Sequence, residues 1–379
     1  MKVIGIIAEY NPFHLGHLYQ IRKIKEMYED SIIVAIVSSS FTQRGEVSVI
    51  NKWNKTNVIL DNGVDIVIEL PFLYATQSAD NFAYGAISIL NKLGIDTLVF
   101  GTESDNINVL KEIAMLQLYN NDYDGIVKNY LDKGLNYPTS MSLAINEKLG
   151  YKIDTPNDLL ALSYIKQIYK INKDIEIINI KRTNDYHSKD VSNNIIPASL
   201  IREYLLDNKD VSKYLPIYNT NLLYKNFSNN NYFAMLKYQV INNIDNLSEF
   251  LDVDEGIENR ILNVINYASS WNELVSLIKT KRYTYNKVNR MLIHILCGLK
   301  KKDIRSYEID YVRVLGFTKS GQRYLNTIKK DIDCRVITSY RKNVSTLLDL
   351  EYKVNYIYSL IADNKLIMEE FRHKPIIKN

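Results

Sequence analysis

Two of the chain's five histidines stand three residues apart, as His14 and His17 in the stretch EYNPFHLGH (9–17). An apolar run with β-branched residues, KVIGIIA (2–8), precedes them, and LYQIRKIKEMY, which reads as a helix, follows. The pair therefore sits where a buried strand gives way to a helix start. A helix N-terminus presents unpaired N–H groups and a partial positive charge, which together attract anions. Two imidazoles at that point add donors able to follow charge developing on a phosphate. Gly16 between them lets a polyphosphate approach the backbone, and Pro12 stiffens the loop. The pattern reads as a cradle for a nucleoside triphosphate. Two other readings stay open on these residues alone: ordinary surface histidines, or metal ligands. An i, i+3 pair with no further His or Cys nearby is a poor zinc set.

The elements around the pair repeat one theme. Apolar strands are expected at 2–8, 31–39, 65–71, 95–101 and 175–181, with helices at 52–64, 78–94, 109–134, 139–150, 155–172 and 195–208. Strands that are continuously apolar and alternate with helices imply a parallel sheet with crossover helices, an α/β fold. In such sheets ligands bind outside the carboxyl ends of the strands, at a topological switch point. The residues at those ends are the loop carrying His14, then Gln43 and Arg44 after the second strand with Lys52 just beyond. QSAD (77–80) follows the third strand, Gly101 ends the fourth, and Arg182 follows the fifth. Asn157 opens the helix that Thr155 and Pro156 begin. After about residue 207 the period becomes mostly helical, which divides the chain into an α/β unit (1–206) and a mostly helical unit (207–379).

Composition narrows the class. At 46% hydrophobic residues the chain can bury substantial cores, so a disordered protein is excluded. No apolar run approaches the ~18 residues of a membrane span, and the N-terminus lacks the features of a signal peptide. A cytoplasmic protein is expected. Cys297 and Cys334 have no partner spacing, so neither a disulfide framework nor a protein-held metal is expected. Net charge is only +4, but it is unevenly distributed. Residues 1–206 carry 20 Lys/Arg against 24 Asp/Glu, whereas 279–342 carry 17 against 5. A basic second half suits a polyanion, although a solvated basic face has the same composition.

GIIAEYNPFHLGH resembles the signature of the HIGH-type nucleotidyltransferase superfamily. That superfamily has a late motif of the type I-S-x-T-x-I-R at a helix start after the fifth strand, where IIPASLIR (195–202) stands here. Ser199 and Arg202 match its serine and arginine; Pro197 and Ala198 depart from it. A longer set of segments is similar to bacterial tRNA(Met) cytidine acetate ligases: TQRGEVSVINKWNK, GVDIVIELPF, QSADNFAYGAI, FGTES, TPNDLLALSYIK, RYTYNKVNRMLIHIL and VRVLGFTKSGQ. The likeness runs over nearly the whole chain.

The resemblance implies a Rossmann-like nucleotidyltransferase sheet followed by a mostly helical, basic tRNA-binding domain. It implies ATP and acetate as substrates, acetyl-adenylate as intermediate, and acetyl transfer to N4 of the wobble cytidine of elongator tRNA(Met). It places ATP against Ile7, Ala8, Glu9, Tyr10, Asn11, Pro12, Phe13, His14, Leu15, Gly16, His17, Leu18, Tyr19 and Gln20, with Gly101, Asn157, Arg182, Ser199 and Arg202. His14 and His17 are the expected catalytic pair. Arg44 and Lys52 are candidates for acetate or tRNA, with QSAD and His187 as further candidates. In the basic half Arg282, Lys287, Arg290, Arg313, Lys319 and Arg323 are candidates for tRNA, though Arg290 sits on a largely apolar helix and has the look of a snorkelling side chain. Mg²⁺ would enter with ATP. Two rivals remain at this stage: an adenylyltransferase acting on a small phosphate ester, and an RNA-binding protein with a vestigial nucleotide site.

Overall fold

The computed structural model describes residues 1–182, 194–216, 220–224, 227–304 and 307–379. Candidate His187 lies outside the described residues. The first half runs β1 (Lys2–Ala8), α1 (Leu15–Met27), β2 (Ser31–Ser38), α2 (Lys52–Asp61), β3 (Ile66–Leu70), α3 (Phe72–Ala75), α4 (Ala79–Lys92) and β4 (Thr97–Thr102). It continues with α5 (Ile107–Tyr119), α6 (Tyr123–Asp132), α7 (Tyr137–Leu149), α8 (Pro156–Ile171), β5 (Glu176–Lys181) and α9 (Ala198–Leu206). The expected strands are all present within two residues at either end. The expected helix 109–134 is instead two. Asn120 Oδ1 accepts from the backbone N–H groups of Asp122 (3.0 Å) and Tyr123 (3.1 Å), a side-chain turn that ends α5 and starts α6.

β5, β4, β1, β2 and β3 lie in that order, all parallel. The chain builds outward from β1 in one direction and returns to β4 on its other side. The switch point is thus between β1 and β4, and the loop carrying His14 leaves β1 directly above it. β2, at the centre, is buried on every residue, as a strand covered on both faces must be.

The second half contributes α10 (Phe233–Asn242), α11 (Ile257–Ile265), α12 (Trp271–Ile278), α13 (Tyr285–Cys297), β6 (Tyr311–Thr318), α14 (Lys319–Ile328), β7 (Arg335–Ile337), α15 (Thr346–Ala362), α16 (Leu366–Arg372) and β8 (Ile376–Lys378). It is mostly helical, but its strands extend the sheet begun by the first half. β6 pairs antiparallel with β3, and β7 and β8 both pair with β6. One apolar core likewise crosses residue 207, running from Ile21, Ile24 and Ile59 through Trp271, Leu292 and Val354. Phe41 meets Tyr232 and Tyr358 edge-on at 6.2 and 6.1 Å, and Tyr358 donates to the Ser48 carbonyl at 2.9 Å. The opposite face of the sheet has its own core, with Val34, Ile36, Ile87 and Ile165.

Two candidate ligand residues turn out to hold this junction together. Lys52 and Arg313 are 4% and 1% exposed. Lys52 Nζ lies 2.7 Å from Glu69 and 2.6 Å from Glu370, and the Arg313 guanidinium 3.0 Å from Glu69 and 2.8 Å from Glu370. Against the upward push of burial, Arg313 and Lys52 hold the Glu370 carboxyl below its ordinary range. The four groups neutralise one another and tie α2, β3, β6 and α16 together. Neither cation is placed to meet acetate or tRNA. Among the described residues, no helix is long and apolar enough to cross a membrane.

Candidate functional site

Above the carboxyl ends of the strands lies a cavity of about 710 Å³. Of the residues expected at the nucleotide, Ile7, Ala8, Glu9, Tyr10, Asn11, His14, Gly16, His17, Tyr19, Gln20, Gly101, Asn157, Arg182, Ser199 and Arg202 line it. Pro12, Phe13, Leu15 and Leu18 do not. Pro12 and Phe13 are buried beneath the loop, Phe13 in the core at 1% exposed. Leu18 packs against that same core from α1, and Leu15, the first residue of α1, is half-buried.

The histidine loop is locked by its own hydrogen bonds. His14 caps α1, and its Nδ1 accepts from the Gly16 N–H at 3.0 Å. His17 Nδ1 accepts in turn from the His14 N–H at 3.2 Å. With both Nδ1 atoms accepting, each neutral ring carries its proton on Nε2. The rings lie 3.8 Å apart, tilted by 32°. Burial, reinforced by Arg182 and Arg202, pulls His14 down to about 3. Burial, reinforced by His14, Arg182 and Lys55, pulls His17 well below the ordinary histidine value. The site thus holds two neutral N–H donors rather than cations. Gly16 has a more immediate purpose than admitting phosphate: a Cβ there would stand 2.8 Å from His14 Cε1, so the ring folds back only over a glycine.

Three groups position the loop from behind. Tyr10 takes φ 45° at the bend out of β1, a backbone that non-glycine residues rarely adopt, and its ring meets His17 edge-on at 4.6 Å. Asn11 Oδ1 accepts from Val49 N–H at 2.7 Å, while Arg202 donates to the Asn11 carbonyl at 2.8 Å and pairs with Glu46 at 2.5 Å. Lys55, fully buried, donates to the carbonyls of Glu9 and Ser38, both at 2.7 Å. Burial pulls its amine down to about 7. It satisfies the strand-end carbonyls that a parallel sheet leaves open beneath such a loop. Lys55 positions the histidine loop, and the sequence reading missed it. Its signal was its place on the same helix face as Ile59, four residues on, which points it inward.

Gly101, Asn157 and Arg182 meet at the β4–β5 edge. A Cβ on Gly101 would lie 3.4 Å from Arg182 Cγ, so the arginine stem crosses the glycine. Glu103 accepts from the N–H groups of Asn157 (3.1 Å) and Asp158 (3.2 Å), and Asp158 accepts from those of Glu103 (3.0 Å) and Ser104 (3.2 Å). This exchange fixes the start of α8 against the end of β4. The Asn157 amide also donates to Glu103, which leaves its Oδ1 as an acceptor.

The other side of the cavity lies above β2 and β3. Gln43, Arg44 and Glu46 come from the loop after β2, and Gln77, Ser78 and Asp80 from the start of α4. Gln43 N–H donates to Glu9 at 2.6 Å, so this loop is joined to the histidine loop. Lys166 on α8, which the sequence reading did not foresee, pairs at 2.7 Å with Asp80 of the QSAD stretch. The second half closes the cavity with Arg282, Lys287 and Arg290 of the α13 region. Arg290 reaches the Gln43 carbonyl at 3.5 Å, and its Nε has no hydrogen-bond partner among the described residues. Lys319 and Arg323 are elsewhere. Thr318 N–H donates to Asp65 and Tyr324 to Leu93, residues that precede β3 and β4, so the start of α14 sits at the amino ends of the strands, the end of the sheet opposite the cavity.

Comparison with known proteins agrees with this geometry. A family model for HIGH Nucleotidyl Transferase matches residues 1–372. The tRNA(Met) cytidine acetate ligase of Caldicellulosiruptor saccharolyticus is 40% identical over 99% of this chain and 98% of its own length. That of Clostridium tetani is 35% identical over the whole of both. Two crystal structures of Thermotoga maritima TmcAL, apo and bound with alpha-thio ATP, superpose with TM-scores of 0.90 and 0.88 at 26% and 27% identity, covering 100% of this chain and 99% of theirs. The chain belongs to the HIGH nucleotidyl transferase family and, within it, to the tRNA(Met) cytidine acetate ligases.

Proposed function

We propose that this protein activates acetate with ATP and transfers the acetyl group to N4 of the wobble cytidine of elongator tRNA(Met). One observation carries the reading: both His14 and His17 have Nδ1 committed to a backbone N–H, so each offers a neutral Nε2–H donor at the start of α1. Adenine lies at the β4–β5 edge, where the Asn157 carbonyl oxygen suits an amine donor. The triphosphate extends across β1 to the two imidazoles, with the Ser199 hydroxyl and the first turn of α9 beside it. The TmcAL structure bound with alpha-thio ATP supports a nucleotide in this fold.

In the first step an acetate oxygen attacks the α-phosphorus and pyrophosphate leaves. The imidazole N–H groups follow the charge that gathers on the phosphate oxygens, which is positioning and electrostatic stabilisation rather than covalent work. Carboxylates such as Glu9 and Glu46 line the cavity as well as N–H, hydroxyl and guanidinium groups, but among the described residues no group of three or more His, Cys, Asp or Glu side chains is placed to hold a metal ion, so Mg²⁺ would come with the triphosphate. In the second step the N4 amine attacks the acetyl carbonyl carbon, AMP leaves and the amine loses a proton. Acetate and the cytidine come from the side above β2 and β3, where Arg44 stands in the wall. A tRNA substrate places the work in the cytoplasm.

Labelled acetate, purified protein and total bacterial tRNA, with and without ATP, test the reading. ATP-dependent label recovered as N4-acetylcytidine from one tRNA is the expected result. Acetate-dependent pyrophosphate exchange without label on tRNA would move the acceptor elsewhere. Exchange that depends on a phosphate ester instead of acetate would favour the small-molecule adenylyltransferase.

A further inference from the structure

The main cavity does not end at α13. Asn136, Thr284 and Asn286 line both it and a second, more open hollow of about 410 Å³ on the outer side of that helix start. The hollow lies between the loop before α7 and the segment joining α12 to α13. The Asn136 amide donates to the Lys281 carbonyl at 3.3 Å and links its two walls. Lys279 and Lys281 line it and are exposed. Tyr285 lines it too, with half its surface exposed, and Tyr137, equally exposed, lines the inner cavity next to Asn136. The Lys279 ammonium stands 5.1 Å from the Tyr285 ring, and that of Lys287 4.1 Å from the Tyr283 ring. Arg282 is already paired with Glu255 at 3.1 Å, which leaves the lysines as the charge this passage offers a partner.

We propose that the outer hollow is the track of a single-stranded RNA loop, with the target nucleotide turned inward past Asn136 and Thr284 toward the histidines. The inference rests on the function proposed above and names the surface that delivers the acceptor. Three properties coincide here: lysines without an acidic partner at hydrogen-bond distance, half-exposed tyrosines on both sides of one opening, and continuity with the nucleotide cavity. Lysines along a groove suit backbone phosphates, and an exposed tyrosine face suits an unpaired base, since every base has a π-face. Chemistry on a base requires the base to leave its stack, so the reacting nucleotide needs an entry and its neighbours need a platform outside it. A basic face that is merely solvated needs neither the tyrosines nor the passage.

The test measures tRNA binding over a range of salt, alongside acetate-dependent pyrophosphate exchange without tRNA. It uses the wild-type chain, Lys279→Ala/Lys281→Ala, Tyr285→Ala, Tyr285→Phe, and Lys319→Ala/Arg323→Ala from the opposite end of the sheet. Tyr285→Ala is expected to weaken tRNA binding roughly 5- to 100-fold, with Tyr285→Phe close to wild type because the ring face is kept. The double lysine variant is expected to bind more weakly and with a shallower salt dependence, the opposite-end variant to bind as wild type, and all to exchange pyrophosphate normally. Normal binding by the groove variants, or equal loss by the opposite-end variant, would overturn the track. If the wild type shows no acetate-dependent exchange yet binds tRNA through the groove, the acetate chemistry fails and the track stands.

Discussion

The histidine loop and the basic entrance treat charge in opposite ways. His14 is buried and His17 half-buried, both are neutral, and the backbone N–H groups of His14 and Gly16 have fixed acceptors on the two rings. Lys279 and Lys281 are exposed, charged and held by little. A phosphate that must react is met by donors that cost no reorganisation when charge develops. A phosphate that must only be held, and later released, is met by mobile cations in water. Between the two regions lies a third arrangement, the quartet of Lys52, Glu69, Arg313 and Glu370, where charge is buried and fully cancelled. In this chain the burial and partners of a basic residue, not its type, decide which role can be proposed for it.

The largest expected effect comes from breaking the quartet. Arg313→Met leaves Glu69 and Glu370 sharing only Lys52, and removing one partner from a buried ion set costs about 3–5 kcal/mol. Thermal unfolding should show a large drop in Tm, while tRNA affinity of the remaining folded protein is unchanged. A fall in tRNA affinity with Tm intact would return Arg313 to the RNA-facing group.

Next in size is the effect expected at the histidine pair. His17→Ala removes one N–H donor and uncaps the His14 backbone; loss of one such donor costs ~10²–10³ in rate. Acetate-dependent pyrophosphate exchange measures it directly, and tRNA binding should stay at the wild-type level. Exchange within twofold of wild type would remove the histidines from the chemistry and erase the contrast between the two regions.

The same contrast explains what could be read in the sequence. The histidine loop was legible because its chemistry is local: strand, turn, glycine and helix start follow one another within about fifteen residues. Gly101 and Arg182 stand at strand ends, which converge in a parallel sheet, but it was the family resemblance that singled them out together with Asn157, which lies at a helix start. Lys52 and Arg313 were misplaced because a lysine or arginine in a string of letters shows its charge and not its burial. Their partner Glu370 lies 57 residues beyond Arg313 and far from Lys52 in the chain. β6 was missed for a related reason. YVRVLGFT has the β-branched and aromatic residues of a strand, but its partner β3 is more than 240 residues earlier, and the surrounding period is helical. Lys319 and Arg323 share a basic stretch with Arg282 and Lys287, yet β6 carries them to the amino ends of the strands, away from the cavity.

Acid should separate the regions more gently. The unfolded chain takes up protons on histidine near 6.5, whereas folded His14 resists until about 3. Between those values the unfolded state binds more protons, so stability is complete above about pH 6.5 and falls as the pH drops toward 3. The slope is at most about 1.4 kcal/mol per pH unit for each such histidine. Urea unfolding at pH 7 and pH 5 measures it, and His14→Asn should flatten the difference. Stability that is equal at the two pH values would mean that the folded ring takes up its proton as the unfolded one does, and burial would not be what keeps it neutral.

The finest distinction is in the salt dependence of tRNA binding. For a single strand the slope of log K against log salt is about 0.7 per phosphate neutralised. Lys281→Ala should therefore reduce the slope by about 0.7, and Arg323→Ala should leave it unchanged even though the two substitutions remove equal charge. Net charge alone would make them equivalent. A difference between them means that the phosphates follow a path along the α12–α13 segment, and its size gives the number of phosphates that Lys281 neutralises there.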